Sequence, residues 1–163
     1  MEHERRFLLD SLPLAEPVDL TTIRQAYWRL GDGWSMRVRR EGRSDSDTRN
    51  SVTIKGPRNG VSRPELNMFL PDDSDSIEAV EKLFMAAGSH KIVKTRYSFL
   101  LDDLPWDVDL FHWENEGLII AELEMDDPAE LARITKPTWA VREVTYEAQY
   151  SNDNLAFRPY KSW

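Results

Sequence analysis

Residues 34–56 read WSMRVRREGRSDSDTRNSVTIKG. Side chains along a β-strand point alternately to opposite faces, so residues two apart share a side. On that period Met36 and Val38 oppose Arg37 and Arg39, and Val52 and Ile54 oppose Thr53 and Lys55. The tract between them, Gly42 to Asn50 (GRSDSDTRN), is rich in the residues that turn a chain. The stretch therefore reads as two strands joined by a polar turn, each with one apolar and one polar or charged face.

The same reading extends outward. Candidate strands are Glu2–Leu9, Thr22–Leu30, Trp34–Arg40, Asn50–Gly56, Ser62–Leu70, Lys91–Leu101, Trp106–Trp113 and Leu118–Met125. Turn residues separate them at short intervals, as in an antiparallel sheet or barrel. Ile77, Val80, Phe84 and Ala87 recur at helical spacing, with Asp and Ser before them and Gly88 after. That predicts a helix over Ser74 to Ala87. Asp127-Pro128 is a second helix start, with Asp as cap and Pro in the first turn. The C-terminal SNDNLAFRPYKSW begins as a short helix and breaks at Pro159. No internal repeat and no linker is visible, so residues 1–163 are read as one domain. The expected fold is α+β and mainly antiparallel β: a closed eight-stranded β-barrel with a few flanking helices.

Composition excludes several classes. Hydrophobic residues at 40% and charged residues at 31% argue against whole-chain disorder. There is no cysteine, hence no disulfide framework or thiolate metal site, which suits a cytoplasmic location. No apolar run reaches membrane length, and MEHERRFLLD is not a signal peptide. A net charge of −8 disfavours nucleic acid as partner. The three histidines lack zinc-site spacing, and there is no phosphate-binding G-x-x-x-x-G-K-[ST] loop or G-x-S-x-G elbow.

The charged faces carry the functional signal. Glu2, Glu4 and Arg6 share a face; so do Arg63, Glu65 and Asn67; Lys94 and Arg96; Asp107 and Asp109; Glu122 and Glu124. Acidic pairs (Glu2/Glu4, Glu122/Glu124) and basic ones (Arg37/Arg39, Lys55, Lys94/Arg96) cluster by sign along the chain. Enclosed like charges repel unless something neutralises them. A polyanion suits the basic set, and Mg²⁺ or Mn²⁺, hard cations that take oxygen ligands, suits the acidic one. A metal-chelating triphosphate satisfies both, with arginine as bidentate donor and lysine as point charge. Closing the strands into a barrel removes sheet edges and shields these charges.

The order and wording of these segments resemble the CYTH superfamily, the triphosphate tunnel metalloenzymes. The family's opening E-x-E-x-K appears as Glu2-His3-Glu4-Arg5-Arg6. Similar blocks follow in order: IRQAYW at Ile23–Trp28, MRVRREG at Met36–Gly42, VTIKGP at Val52–Pro57, RPELN at Arg63–Asn67, VKTRYS at Val93–Ser98, DVDLF at Asp107–Phe111, GLIIAELEM at Gly117–Met125 and VTYEAQYSNDNLA at Val144–Ala156. The resemblance implies an antiparallel tunnel, divalent-metal dependence and a triphosphate-bearing small molecule as substrate. It implies metal-side carboxylates at Glu2, Glu4, Glu122 and Glu124, with Glu65 and Asp109 as helpers. It implies phosphate contacts from Arg37, Arg39, Lys55, Lys94 and Arg96, assisted by Arg63. It also implies catalytic positions at Glu4, Arg6, Tyr27 and Lys94, a tunnel-plugging helix after Tyr150-Ser151-Asn152, and a homodimer.

Three positions depart from the family pattern. Arg6 replaces the signature lysine, Asn67 replaces the second acid of R-x-E-x-E, and Gln149 replaces an arginine. Arginine stays protonated, so Arg6 binds phosphate and does not serve as a base. The expected activity is metal-dependent hydrolysis of inorganic tripolyphosphate. The alternatives are a class IV-type adenylate cyclase and a triphosphate-binding module without turnover.

Overall fold

The computed structural model describes residues 3–44, 47–57 and 64–163. They form two compact units, residues 22–93 and residues 1–21 with 94–163. Among the described residues the fold is antiparallel β with three α-helices, and no helix is long and apolar enough to cross a membrane.

In the first unit the strands are β2 (Asp19–Gly31, from Thr22 on), β3 (Trp34–Ser44), β4 (Asp47–Lys55) and β5 (Glu65–Phe69), in the order β5-β4-β3-β2. Helix α1 (Ser74–Ala86) covers one face. Ala26, Val38, Val80, Phe84 and Ala87 are buried together, with Trp28, Val52, Leu70 and Leu83 around them. These are the apolar positions of the period-two reading meeting the apolar stripe of the helix. Asp73 caps α1 by accepting from the Ser76 N–H at 2.7 Å, and Gly88 (φ +59°) follows its end. Between β2 and β3, Gly31, Asp32 and Gly33 all have positive φ. A Cβ on Gly33 would stand 2.9 Å from the Pro57 Cβ, so this turn needs glycine for space as well as conformation.

In the second unit β1 (His3–Leu8), β6 (Lys91–Leu101, from Lys94 on), β7 (Leu104–Phe111), β8 (Ile119–Met125) and the two-residue β9 (Arg142–Glu143) run in the order β6-β7-β8-β1-β9. Its core holds Phe7, Phe99, Trp106, Val108, Ala121 and Leu123, closed by Leu131 of α2 (Pro128–Arg133) and by Ala140. Trp106 meets Phe7 and Trp139 edge-on at 5.6 and 4.9 Å between ring centroids. The short α3 (Asn152–Phe157) lies near the C-terminus.

All eight expected strands are present, and the structure adds β9. Strand β7 begins at Leu104 rather than Trp106 because Asp102 and Asp103 (φ +51° and +60°) complete the turn in two residues. Neither strand set closes on itself in hydrogen bonding: β5 is an edge strand of one and β9 of the other. The expected closed eight-stranded barrel is thus seen as an antiparallel sheet architecture, not as a closed ring.

Candidate functional site

The face of the second unit that turns away from its core carries the charges. Strand register sets Arg96 opposite Asp109, Ser98 opposite Asp107, Asp107 opposite Glu122, Glu122 opposite Arg6 and Glu124 opposite Glu4. Signs segregate along β6, β7 and β8 but not along β1, and pairing sets basic β6 against acidic β7, which lies against acidic β8. Arg96 is the hub. Its Nε and Nη2 donate to Asp109 Oδ1 and Oδ2 at 2.7 and 2.8 Å, its Nη1 to Asp107 Oδ2 at 3.0 Å, and its Nη2 also to Glu122 Oε2 at 2.5 Å. Ser98 Oγ donates to the other Asp107 oxygen at 2.6 Å. Lys94 Nζ bonds Asp109 Oδ2, with Asn152 Oδ1 of α3 at 3.5 Å. Lys94 and Asp109 are both fully buried.

Burial opposes the ionised Asp109. The charges of Lys94 and Arg96 and their hydrogen bonds outweigh it and hold the carboxyl well below the usual carboxylate range. Burial likewise opposes the Arg96 cation, and Asp109, then Glu122 and Asp107, raise its pKa far above the ordinary arginine value. Asp109 and Arg96 are therefore both charged at neutral pH.

On β1, Arg6 is buried and tied to the C-terminal segment. Its backbone N–H donates to Thr145 Oγ1 and its Nη2 to the Thr145 carbonyl, both at 3.0 Å. Its Nε lies 3.6 Å from Glu4 Oε1 and makes no hydrogen bond there. Arg5, on the opposite face, grips Glu143 with two bonds of 2.9 and 2.7 Å. That hydrogen bonding lowers the Glu143 pKa and raises that of Arg5.

The first unit has its own polar face, opposite α1. Register sets Arg37 between Tyr27 and Thr53, Arg39 between Gln25 and Ser51, Thr53 opposite Asn67 and Lys55 opposite Glu65. Arg37 Nη2 donates to Thr53 Oγ1 at 2.9 Å, and Thr53 donates to Asn67 Oδ1 at 3.0 Å. The buried Arg37 Nε has no hydrogen-bond partner. Lys55 pairs with Glu65 at 2.8 Å and Arg39 with Glu41 at 3.2 Å. Oriented by its neighbours, the Gln25 carboxamide accepts from Arg39 Nε and Nη2 at 3.0 and 2.8 Å and turns its nitrogen to the Tyr27 hydroxyl.

The expected site residues that are described fall into two sets. Glu4, Arg6, Lys94, Arg96, Asp109, Glu122 and Glu124 share one face of the second unit; Tyr27, Arg37, Arg39, Lys55 and Glu65 share one face of the first. Glu2 and Arg63 lie outside the described residues. Among the described residues no three His, Asp or Glu side chains are gathered to hold a metal ion. Asp109 holds Lys94 and Arg96, and Glu65 holds Lys55. Glu4 and Glu124 stand directly across from each other, an arrangement of like charges that favours a cation beside them. Both offer only oxygen donors, the kind a hard divalent cation takes. Reading the sequence by charge set Asp107 beside Asp109 on the ionic face without giving it a role, and missed Gln25, Thr53 and Thr145. Gln25 and Thr53 sit two residues from a chosen position on the same face. Nothing local points to Thr145, or to Asn152 as a partner of Lys94.

Two units of antiparallel strands, each with an ionic face set against an apolar one, and the ordered blocks quoted above define a recognised class. The chain belongs to the CYTH domain family, whose model matches residues 1–160. It is 35% identical over 162 residues to an inorganic triphosphatase of Acetivibrio thermocellus, covering 99% of this chain and 97% of that protein. Among solved structures it is similar to the inorganic triphosphatase NE1496, with a TM-score of 0.72, 26% identity, and coverage of 96% of this chain and 94% of that one. The PH1819 protein of Pyrococcus horikoshii shares the fold at a TM-score of 0.53 and 18% identity, over 81% of this chain and 82% of that one.

Proposed function

We propose that this protein hydrolyses inorganic tripolyphosphate in a divalent-metal-dependent reaction. The observation that carries the reading is the buried ionic face of β6, β7, β8 and β1, where Lys94 and Arg96 are locked as cations by carboxylates. The 35% identical inorganic triphosphatase supports the same reading.

Lys94, Arg96, Arg37, Arg39, Lys55 and Arg63 contact phosphate oxygens, and their charge stabilises the transferring phosphoryl group. Asp109 positions Lys94 and Arg96. Arg6 adds a phosphate contact and, always protonated, leaves general-base work to another group. Tyr27 contacts substrate through its hydroxyl. Glu4, Glu122, Glu124 and Glu2 hold the cation, with Glu65 in support. A bound Mg²⁺ or Mn²⁺ supplies charge neutralisation and a more acidic water. The closed eight-stranded barrel that the family resemblance implies, a single functional domain over residues 1–163, and a homodimer belong to this proposal.

The test is phosphate release from tripolyphosphate with Mg²⁺ or Mn²⁺, with EDTA as control, for the wild type and Glu124→Gln. Release that EDTA and the substitution both abolish supports the proposal. Cyclic AMP and pyrophosphate from ATP would make the protein a cyclase. Metal-dependent binding with no turnover of any triphosphate would make it a binding module.

A further inference from the structure

Arg24 and Arg40 stand directly opposite each other in the register of β2 and β3, on the face that carries α1 rather than the face of Arg37 and Arg39. Like charges so placed repel. A single carboxylate oxygen bridges them: Glu81 Oε1 of α1 accepts from Arg24 Nη1 at 3.3 Å and from Arg40 Nη1 at 3.5 Å. Both bonds are long for charge-assisted ones. The Arg24 guanidinium lies over the Phe84 ring, 4.7 Å from its centroid, which fixes its position from behind.

The pair opens on a concavity of about 260 Å³, lined also by Thr22, Gly42, Arg43 and Thr48. Glu41 reaches its rim, but that carboxylate pairs with Arg39. Arg24 and Arg40 therefore share the concavity with the single Glu81 carboxylate, two cations to one anion. The volume is below the roughly 300–1,000 Å³ of pockets for drug-sized ligands.

We propose that this concavity is a binding site for a small oxyanion of the orthophosphate class. The anion sits between the Arg24 and Arg40 guanidiniums, takes N–H donors that Glu81 does not use, and has Thr22 and Thr48 in the lining of the same concavity. It replaces a weak shared bridge with two-pronged contacts and relieves the repulsion between the arginines. The site stands on residues that the proposed hydrolysis does not use, so either reading survives failure of the other.

The experiment is calorimetric titration of metal-free protein with orthophosphate, and separately with glycerol 3-phosphate, at constant ionic strength. The two probes separate a free anion from the phosphate of a larger ester. Wild type and Arg37→Gln should both bind. Arg40→Gln should weaken that binding at least about tenfold, by loss of a charged donor fork. Glu81→Gln should strengthen it about threefold or more, by removing the competing carboxylate. Lys82→Gln, the same charge change as Arg40→Gln at an exposed position on α1, should leave it within about twofold. Should Arg40→Gln fail to fold, Glu81→Gln decides, together with a rise in its melting temperature on adding orthophosphate. Unchanged binding in Arg40→Gln, no strengthening in Glu81→Gln, or an equal loss in Lys82→Gln overturns the proposal.

Discussion

Replacing Asp109 by Asn tests the ionic hub where it is most enclosed. Asn keeps the shape and one acceptor oxygen but removes the charge that Lys94 and Arg96 share. Arg96 retains Asp107 and Glu122 and stays partnered. Lys94, fully buried, loses the negative charge that its ammonium bonds, while Asn152 Oδ1 at 3.5 Å and the Phe111 ring at 5.5 Å remain among its contacts. Breaking a buried pair by removing one partner costs about 3–5 kcal/mol. The lower end applies here, because Asn still accepts a hydrogen bond. For a chain of this size about 3 kcal/mol corresponds to a fall of roughly 6–12 °C in melting temperature. Lys94→Met should cost less, since Asp109 keeps two bonds from Arg96. Adding Lys94→Met to Asp109→Asn should recover part of the loss by removing a buried ammonium that no longer faces a carboxylate at that position. Urea unfolding at pH 7, followed by tryptophan fluorescence, measures all three. A loss below about 1 kcal/mol for Asp109→Asn, or a larger one for Lys94→Met, would refute the reasoning.

The same carboxyl governs acid stability. Its folded pKa is depressed, so its contribution is complete above the unfolded value of about 3.9 and fades as pH falls toward the folded one. Melting temperature measured down to about pH 2 should fall with acid in the wild type and more shallowly in Asp109→Asn. Glu124→Gln should lower metal-dependent tripolyphosphate hydrolysis, or raise the metal concentration it needs, by about tenfold or more. An unchanged metal titration removes Glu124 from the proposed site. Ser151 caps α3, its Oγ accepting from the Asn154 N–H at 3.3 Å. Ser151→Ala should cost about 1 kcal/mol by urea unfolding, and no change would mean that the cap is dispensable.

How far the sequence spoke depended on which geometry a residue type can report. The period of two is a property of the strand itself, so the sides taken by Arg37, Lys55, Lys94 and Glu122 were legible before any contact was known. Pairing is not local in that way. Which carboxylate faces Arg96 depends on the Asp102-Asp103 turn taking two residues, and a one-residue slip would send Asp109 to the other face. Sign clustering along the chain was legible, but that the basic strand carrying Lys94 and Arg96 lies against the acidic one carrying Asp107 and Asp109 was not. Gln25 and Thr53 were invisible to a reading based on charge, yet both are fully buried and orient Arg39 and Arg37. Thr145 and Asn152 reach Arg6 and Lys94 from the far end of the chain, where only the fold brings them close.

The hub limits how substrate is bound. Arg96 has five N–H donors, and the described contacts engage four: one on Nε, one on Nη1 and two on Nη2. Without breaking a bond it has a single N–H left for phosphate. Glu122 is the partner with most to gain elsewhere, since it lies beside the facing pair Glu4 and Glu124. If Glu122 turns toward a cation held there, Arg96 Nη2 is released for a phosphate oxygen. Asp109, locked between Lys94 and Arg96, keeps the guanidinium in place during the exchange. Cation and polyanion then bind cooperatively through one carboxylate, and linkage makes the effect equal in both directions. Titrating Mn²⁺ with and without a non-hydrolysable triphosphate measures it. The affinities should rise together by about fivefold or more in the wild type, and the coupling should shrink in Glu122→Gln. Coupling of equal size in Glu122→Gln would mean that the two ligands meet without Arg96 changing partners.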